Sequence, residues 1–399
     1  MLLKVKTLSH GTEASRPKCI PALLFHDMLK LASSPDVISF ALGFPCTDLL
    51  PSRELAVAAG EVLATDGESL QYQHPSQTGL TEIIRSVMSL RGVTCECNNI
   101  FVTAGAQQAL DMISRLLMLQ HSTAIEERFA YPGFHQCIEP FRPCVIRTHS
   151  AVHTGIDVER FKTTLGHHPD AALFYFMADG HNPLGISLSE RQRYQMAGIV
   201  RQYPLSVVED DPYGLLQYEP NTLPPVHALA ADRVLYVGSF SKILGPGLRI
   251  GWVVAPSEFI SRLAVIKEAS DLNTATLTQK IACRYFEKYS FEEHLARLRA
   301  GYRMKRDAMQ ESLQRHLPEG CTWSVPSAGV FFWIDLPERV DADAVLACAL
   351  KQFQVAFMPA SVFSGATCRN GMRLCFSRSP IRVIEEGVAR IGATLKLFM

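Results

Sequence analysis

Charge of neither sign is in surplus: 39 Lys and Arg against 39 Asp and Glu leave a formal net charge of zero over 399 residues. That balance argues against nucleic acid or an anionic membrane surface as a partner, since both select basic patches. No apolar run approaches the roughly 20 residues needed to cross a bilayer. Met1–Arg16 lacks the basic, apolar and small-residue succession of a secretory signal, so a cytoplasmic location is expected. The eleven cysteines are odd in number and scattered. Cys283, Cys348 and Cys375 lie in apolar surroundings, so free thiols in a reducing compartment are expected rather than a disulfide framework. Cys95-Glu96-Cys97 is the one close pair, and without a second pair or a histidine at ligand spacing it predicts no metal site. Internal repeats and low-complexity segments are also missing.

What is present is a globular composition, 47% hydrophobic and 20% charged, in a chain long enough for one large or two moderate domains. Strands are expected at Asn99–Thr103, Thr123–Glu126, Ala171–Met177, Leu205–Glu209, Val234–Val237 and Ile250–Val254, with a capped helix from Ser189 through Val200. Strands separated by helices over residues 99–255 predict a large α/β domain with a mostly parallel sheet and its chemistry on loops beyond the strand ends. Upstream, helical spacing covers Pro21–Ala32 and Thr81–Leu90, with a strand at Val37–Ala41 between them. Tyr131-Pro132-Gly133-Phe134 reads as a turn. Downstream, Phe291–Leu317 reads as a long helix with a solvated charged face, followed by strands at Gly329–Ile334 and Met372–Phe376.

The stretch from Val234 to Trp252 carries the clearest chemistry. An apolar strand runs into Ser239, Ser241 and Lys242, then a Gly245-Pro246-Gly247 bend, Arg249 and a second apolar strand. Burial of a lysine at a strand end disfavours its charged form, and the neutral amine is a nucleophile toward carbonyls. Two hydroxyls and a guanidinium beside it suit a phosphate. Together they suggest a pyridoxal-phosphate Schiff base. A second anion site is expected where strand Asn99–Thr103 turns through Gly105 into a helix, whose first N–H groups are free. Asp210-Asp211 after a strand offers a carboxylate able to keep a pyridine nitrogen protonated, and either residue could serve. Arg373 inside an apolar strand is costly unless it meets an anion, and its planar fork suits a carboxylate.

Ser239-Phe240-Ser241-Lys242, with Arg249 seven residues further on, resembles the active-site segment of class I aminotransferases. More narrowly it is similar to the branch with the kynurenine and 2-aminoadipate aminotransferases, and the likeness runs from about Pro21 to Phe398. The resemblance implies a fold-type I pyridoxal-phosphate transferase with a large domain (45–285) on a mostly parallel sheet of the seven-stranded type. A smaller α/β domain would combine 1–44 with 286–399. It implies that Lys242 holds the cofactor, that Ala106 and Gln107 join Ser239, Ser241 and Arg249 around its phosphate, and that Tyr131 stacks on its ring. By the family's spacing Asp210 faces the ring nitrogen, while Tyr213 and Asn182 donate to the phenolate oxygen. Gly43 would border the substrate, with Asn182 and Arg373 on its α-carboxylate. Tyr72 would reach a partner chain's cofactor phosphate in a homodimer.

The sequence departs from that family at several points. Leu42 replaces a glycine beside Gly43, Glu127-Arg128-Phe129 precedes Tyr131 in place of Glu-Asp-Pro, and His181 and Leu184 flank Asn182-Pro183 in place of Gln and Thr. The implied reaction moves the amino group of an L-amino acid to a 2-oxo acid, with Lys242 shuttling the α-proton. The same residues would also suit a lyase, a decarboxylase or an oxidase of the same cofactor class. A silent binding protein would be expected to lose Lys242 or Asp210, and both are present. No fused DNA-binding segment of the kind found in related transcription regulators is expected. Leu42, Phe44 and Leu184 suggest a pocket for an apolar or aromatic side chain. Ala22-Leu23-Leu24-Phe25, where some relatives carry an arginine, disfavours an acidic one.

Overall fold

A computed structural model describes residues 36–73, 78–219, 223–365 and 367–399. The helix expected over Pro21–Ala32, with the absent arginine, and the His74-Pro75 step after Tyr72 lie outside the described residues. Strand β1 (Ile38–Ser39) is followed by helices α1 (Ser52–Thr65) and α2 (Leu80–Leu90). Next come β2 (Ile100–Thr103), α3 (Ala106–Leu117), β3 (Thr123–Glu127), α4 (Pro132–Ile138), β4 (Cys144–Thr148) and a hairpin of β5 (Ser150–Ala151) and β6 (Gly155–Ile156). After α5 (Val158–His167) run β7 (Leu173–Phe176), α6 (Glu190–Val200), β8 (Ser206–Asp211), β9 (Val234–Ser239) and β10 (Gly251–Val254).

Seven of these strands form one sheet in the order β2-β10-β9-β8-β7-β3-β4. The pairs from β9 through β4 are parallel, while β10 runs antiparallel to both β9 and β2. Strands covered on both faces read as continuous apolar runs, and Leu173-Phe174-Tyr175-Phe176 is buried throughout. Alternate residues serve opposite layers: Leu173, Tyr175 and Met177 join one core, and Phe174 and Phe176 join another with Phe161 of α5 and Met196 of α6.

The C-terminal part adds α7 (Ser257–Asp271), α8 (Thr276–Lys288) and the long α9 (Phe291–His316). Strands β11 (Thr322–Trp323), β12 (Phe331–Asp335), β13 (Val355–Ala356), β14 (Met358–Pro359) and β15 (Gly371–Cys375) precede α10 (Ile381–Leu395). An antiparallel sheet in the order β11-β12-β15-β14 is separate from β1, which pairs in parallel with β13 and so ties residues near 38 to the C-terminal third.

Several elements differ from the sequence-based expectation. Pro132 opens helix α4 rather than a turn, because a proline at the first helical position has its φ already set and lacks a donor the helix cannot use there. Strand β8 extends through Asp210 and Asp211, so neither belongs to a turn. Within α9 Arg306 is buried, donating to the Pro326 carbonyl and pairing with Asp307 and Glu219, so that face is not wholly solvated. Helices α1 and α5 and strand β4 carry patterns too mixed to stand out. Among the described residues no helix is long and apolar enough to cross a membrane, no group of side chains could hold a metal ion, and the cysteines are free thiols.

Candidate active site

Five strands of the large sheet, β2, β3, β7, β8 and β9, end on the same side, and the segments that follow them converge on a cavity of about 380 Å³. Such a crevice beyond the carboxyl ends of parallel strands is where α/β sheets gather ligand-binding loops. It is lined by Gly43, Ala106, Gln107, Tyr131, Asn182, Asp210, Tyr213, Ser239, Ser241, Lys242, Arg249 and Arg373. These are all the residues to which the resemblance gave a cofactor or substrate role except Tyr72, which is 75% exposed and outside the cavity; Leu184, expected in the apolar pocket with Leu42 and Phe44, is buried in the core and does not line it.

Lys242 lies in the turn after β9, and its Nζ donates to the Gly43 carbonyl at 2.8 Å. Burial, reinforced by the Arg373 and Arg249 guanidiniums against the pull of Cys375 and Asp210, lowers this amine from 10.5 to about 8. A substantial neutral fraction therefore exists near physiological pH, as a nucleophile or base requires. Asp210, at the end of β8, is 3% exposed and accepts the Tyr175 hydroxyl on Oδ2 at 2.8 Å. Burial raises it to about 7, with Asp211 adding to the shift and Tyr175 and Lys242 opposing it. Its Oδ1 is buried and has no hydrogen-bond partner. A buried carboxylate oxygen left open on a cavity wall calls for a cationic or donor group from a ligand.

Asp211 points elsewhere. It accepts from Arg91 at 3.0 Å, Tyr236 at 2.9 Å and the Gly214 N–H at 2.6 Å, so its capacity is used inside the protein. The sequence left the choice between these carboxylates open, and the structure separates them by what each faces.

The anion cradle sits where β2 turns into α3. Gly105 has φ +91° and a Cβ built on it would lie 2.5 Å from Arg249 Nη2, so only glycine lets the guanidinium approach this backbone. Arg249 Nη2 donates to the Ala104 carbonyl at 2.8 Å. The Ser239 and Ser241 hydroxyls are 3.0 Å apart, and Gln107 holds the Gly133 carbonyl at 2.7 Å while its buried Oε1 has no partner. Hydroxyls, a guanidinium and the N–H groups of a helix start are donors of the kind that suit a phosphate. Gly105→Ala is expected to fold but to weaken uptake of pyridoxal phosphate by about tenfold or more, through a left-handed alanine and a displaced Arg249. Titration of the apo-protein with the cofactor measures this.

The opposite end is built on β15. Arg373 is 5% exposed, and its Nη1 donates to Asn182 Oδ1 at 2.5 Å while Nη2 meets the Ala41 carbonyl. Its guanidinium lies over the Phe331 ring at 4.2 Å and near the Phe363 ring at 4.9 Å, and its buried Nε has no partner. Burial lowers Arg373 to about 10, so the cation persists at neutral pH. A Cβ on Gly43 would lie 2.7 Å from Phe331 Cζ, which marks how closely the segment after β1 approaches this wall. Leu42, Phe44, Met358 and Val362 complete an apolar side.

Two groups of functional neighbours were not read from the sequence. Tyr175 reaches Asp210 from mid-strand β7, where it looks like any buried aromatic. Arg91, Asp179 and Arg193 form a buried ion network under the segment that carries Asn182, with Arg91 to Asp179 at 2.7 Å and Arg193 to Asp179 at 2.6 Å. The available signal was Asp179 standing three residues before Asn182 at the end of an apolar strand.

A sheet of this order, with a buried amine, an unpartnered carboxylate and a phosphate cradle around one cavity, defines a fold-type I pyridoxal-phosphate enzyme. The chain belongs to the class I and II aminotransferase family, matching it over residues 35–391. Its cofactor is pyridoxal 5′-phosphate, and it moves an amino group between an amino acid and a 2-oxo acid. The chain is 31% identical to aromatic-amino-acid aminotransferase 1 of Thermococcus litoralis, over 93% of this chain and 90% of that protein. It superposes on Pyrococcus horikoshii kynurenine aminotransferase, in complex with PMP, KYN as substrates and KYA as products, with a TM-score of 0.88 at 31% identity over 94% of each chain. LysN, the alpha-aminoadipate aminotransferase of Thermus thermophilus complexed with N-(5′-phosphopyridoxyl)-L-leucine, matches at a TM-score of 0.85 and 30% identity over 94% of each chain.

Proposed function

We propose that this aminotransferase takes L-amino acids with apolar or aromatic side chains. The observation that carries the reading is the cavity wall beside Arg373: Leu42, Phe44, Phe331, Met358, Val362 and Phe363 present apolar surface there. Among the described lining residues Asp210 is the one carboxylate, and its cationic neighbours Lys242, Arg249 and Arg373 are taken up by other tasks. An acidic side chain would have no cation among the described lining residues to meet.

The roles follow from the arrangement. Arg249, Ser239, Ser241, Gln107 and the Ala106 N–H would hold the phosphate, Tyr131 would stack on the ring, and Tyr213 would donate to the phenolate oxygen. The open Oδ1 of Asp210 would face the ring nitrogen. When bound, pyridoxal phosphate supplies a carbonyl that captures the amine and a ring that accepts the electron pair left by the α-proton. Arg373 and Asn182 orient the substrate carboxylate, and Lys242 Nζ takes the proton from the substrate α-carbon. Such proton transfer contributes about 10²–10⁴-fold.

Two chains are proposed to pair, with the exposed Tyr72 reaching the partner's phosphate site, in a cytoplasmic enzyme. Residues 45–285 are proposed as the large domain, and 1–44 with 286–399 as the small one.

The test is the visible spectrum of the holoenzyme on adding single L-amino acids without an oxo acid. L-phenylalanine should bleach the cofactor band, a 2-oxo acid should restore it, and L-glutamate and L-2-aminoadipate should react more slowly. Equal rates across the three would remove the case for an apolar pocket. Arg373→Lys should raise KM for the amino acid by about 10–100-fold with a smaller fall in kcat, because one ammonium cannot replace a planar, bidentate fork.

A further inference from the structure

Two residues that flank the site, Glu127 at the end of β3 and the family departure His181 before Asn182, meet each other inside the protein. His181 is 3% exposed and its Nε2 lies 3.0 Å from Glu127 Oε2. The Leu184 N–H donates to His181 Nδ1 at 3.3 Å. A ring nitrogen that accepts an N–H cannot carry a proton, so the proton sits on Nε2 and is donated to Glu127. Glu127 Oε2 also accepts the Met177 N–H at 3.2 Å, at the point where β7 ends and the segment to Asn182 begins. Backbone bonds close the same turn, from Gly185 N–H to the His181 carbonyl at 2.6 Å and from His181 N–H to the Ile186 carbonyl at 2.8 Å.

We propose that Glu127 and His181 are positioning residues for the transamination. The imidazole bridges the carboxylate at the end of β3 to the backbone of the turn, and so fixes Asn182 where its Oδ1 meets Arg373 Nη1. Neither side chain lines the cavity, so each acts through Asn182. With its oxygen held by Arg373, Asn182 has its amide N–H groups left to offer the substrate. The inference rests on the reading that Asn182 and Arg373 hold the substrate carboxylate. Glutamine at 181 could make the same bridge, with its amide N–H donating to Glu127 and its oxygen accepting from Leu184. Leucine fills the space and makes neither bond.

The experiment compares holoenzymes carrying His181→Leu, His181→Gln and Glu127→Ala with the wild type. L-phenylalanine with 4-methyl-2-oxopentanoate, an apolar acceptor, gives KM and kcat, and calorimetric binding of 3-phenylpropionate, which has the carboxylate and ring but no amine, gives a readout without turnover. His181→Leu and Glu127→Ala should weaken 3-phenylpropionate by about tenfold and raise KM more than they lower kcat. His181→Gln should stay within about threefold of wild type on both. If leucine prevents folding, His181→Asn, too short to reach both partners, makes the same comparison. Variants that lower Tm but leave KM and 3-phenylpropionate affinity within twofold of wild type would show a purely structural pair and overturn the proposal. Absence of any amino-acid reaction in the wild type would instead defeat the functional reading itself.

Discussion

Lys242→Ala is expected to lower kcat/KM by about 10⁴-fold or more while the chain still folds and still binds pyridoxal phosphate through its phosphate cradle. The size of the loss follows from what remains around the cavity. Arg249 and Arg373 carry guanidiniums rather than amines, and the Arg373 cation persists at neutral pH. Burial pushes Tyr131 up to about 12 and Tyr213 well above its ordinary range, so neither is a base at neutral pH. Asp210 is spent on Tyr175 and on whatever faces its open oxygen. Among the described residues no other side chain lining the cavity is an amine that can be neutral near pH 8. The check is the half-reaction with L-phenylalanine followed by absorbance, together with cofactor retained after borohydride treatment and denaturation. Small alkylamines should restore part of the proton transfer to the alanine variant and none to Lys242→Arg, whose guanidinium stays charged. Retention of more than about one per cent of wild-type turnover by Lys242→Ala would contradict the assignment.

The strand ends that carry these residues were legible because each couples an apolar run to a residue type that is costly there without a purpose. Lys242, Arg373 and the Asp210-Asp211 pair stand out for that reason. Local signals failed where contacts link distant segments. Arg91 closes α2 with a basic residue, as many helices do, yet its guanidinium binds Asp179 and Asp211, 88 and 120 residues away. That contact, together with those from Tyr236 and Gly214, separates a structural Asp211 from a cavity-facing Asp210. The direction of β10 was hidden for the same reason, since an apolar run says nothing of the sense in which it pairs. His181 could be recognised as a departure from a pattern, but its meeting with Glu127 depends on β3 and β7 lying side by side.

Asp210→Asn is expected to abolish most turnover and yet to make the apo-protein more stable at pH 8. In the folded protein Asp210 titrates near 7 rather than 3.8, chiefly because burial penalises the carboxylate. Between about pH 4 and pH 7 the folded state therefore keeps a proton that the unfolded chain has released. Stability falls as pH rises through that window, and the penalty is complete above it. Three units correspond to about 4 kcal/mol. Asparagine carries no charge, and its oxygen can still accept the Tyr175 hydroxyl, but its amide would stand unpaired where Oδ1 is now, at about 1–3 kcal/mol. The balance leaves the variant about 1–3 kcal/mol more stable at pH 8, with the advantage crossing zero inside the window and the order reversed toward pH 4. Lys242 titrates near 8 in the wild type and Asp210 is the smallest of the influences on it, so comparison at matched pH cancels most of its contribution. Added pyridoxal phosphate is expected to reverse the order, because Asp210, if it holds the protonated ring nitrogen as proposed, would lose its penalty, while asparagine would gain no counterpart. Turnover of the variant should fall at least about 10²–10³-fold, the usual loss when a preorganised electrostatic partner is removed. Denaturant unfolding of both apo-proteins from pH 5 to 8, repeated with cofactor, measures all of this. A variant less stable than wild type by the same margin at every pH would mean that Asp210 is not held as a costly buried anion, and that the cavity does not derive its cofactor preference from it.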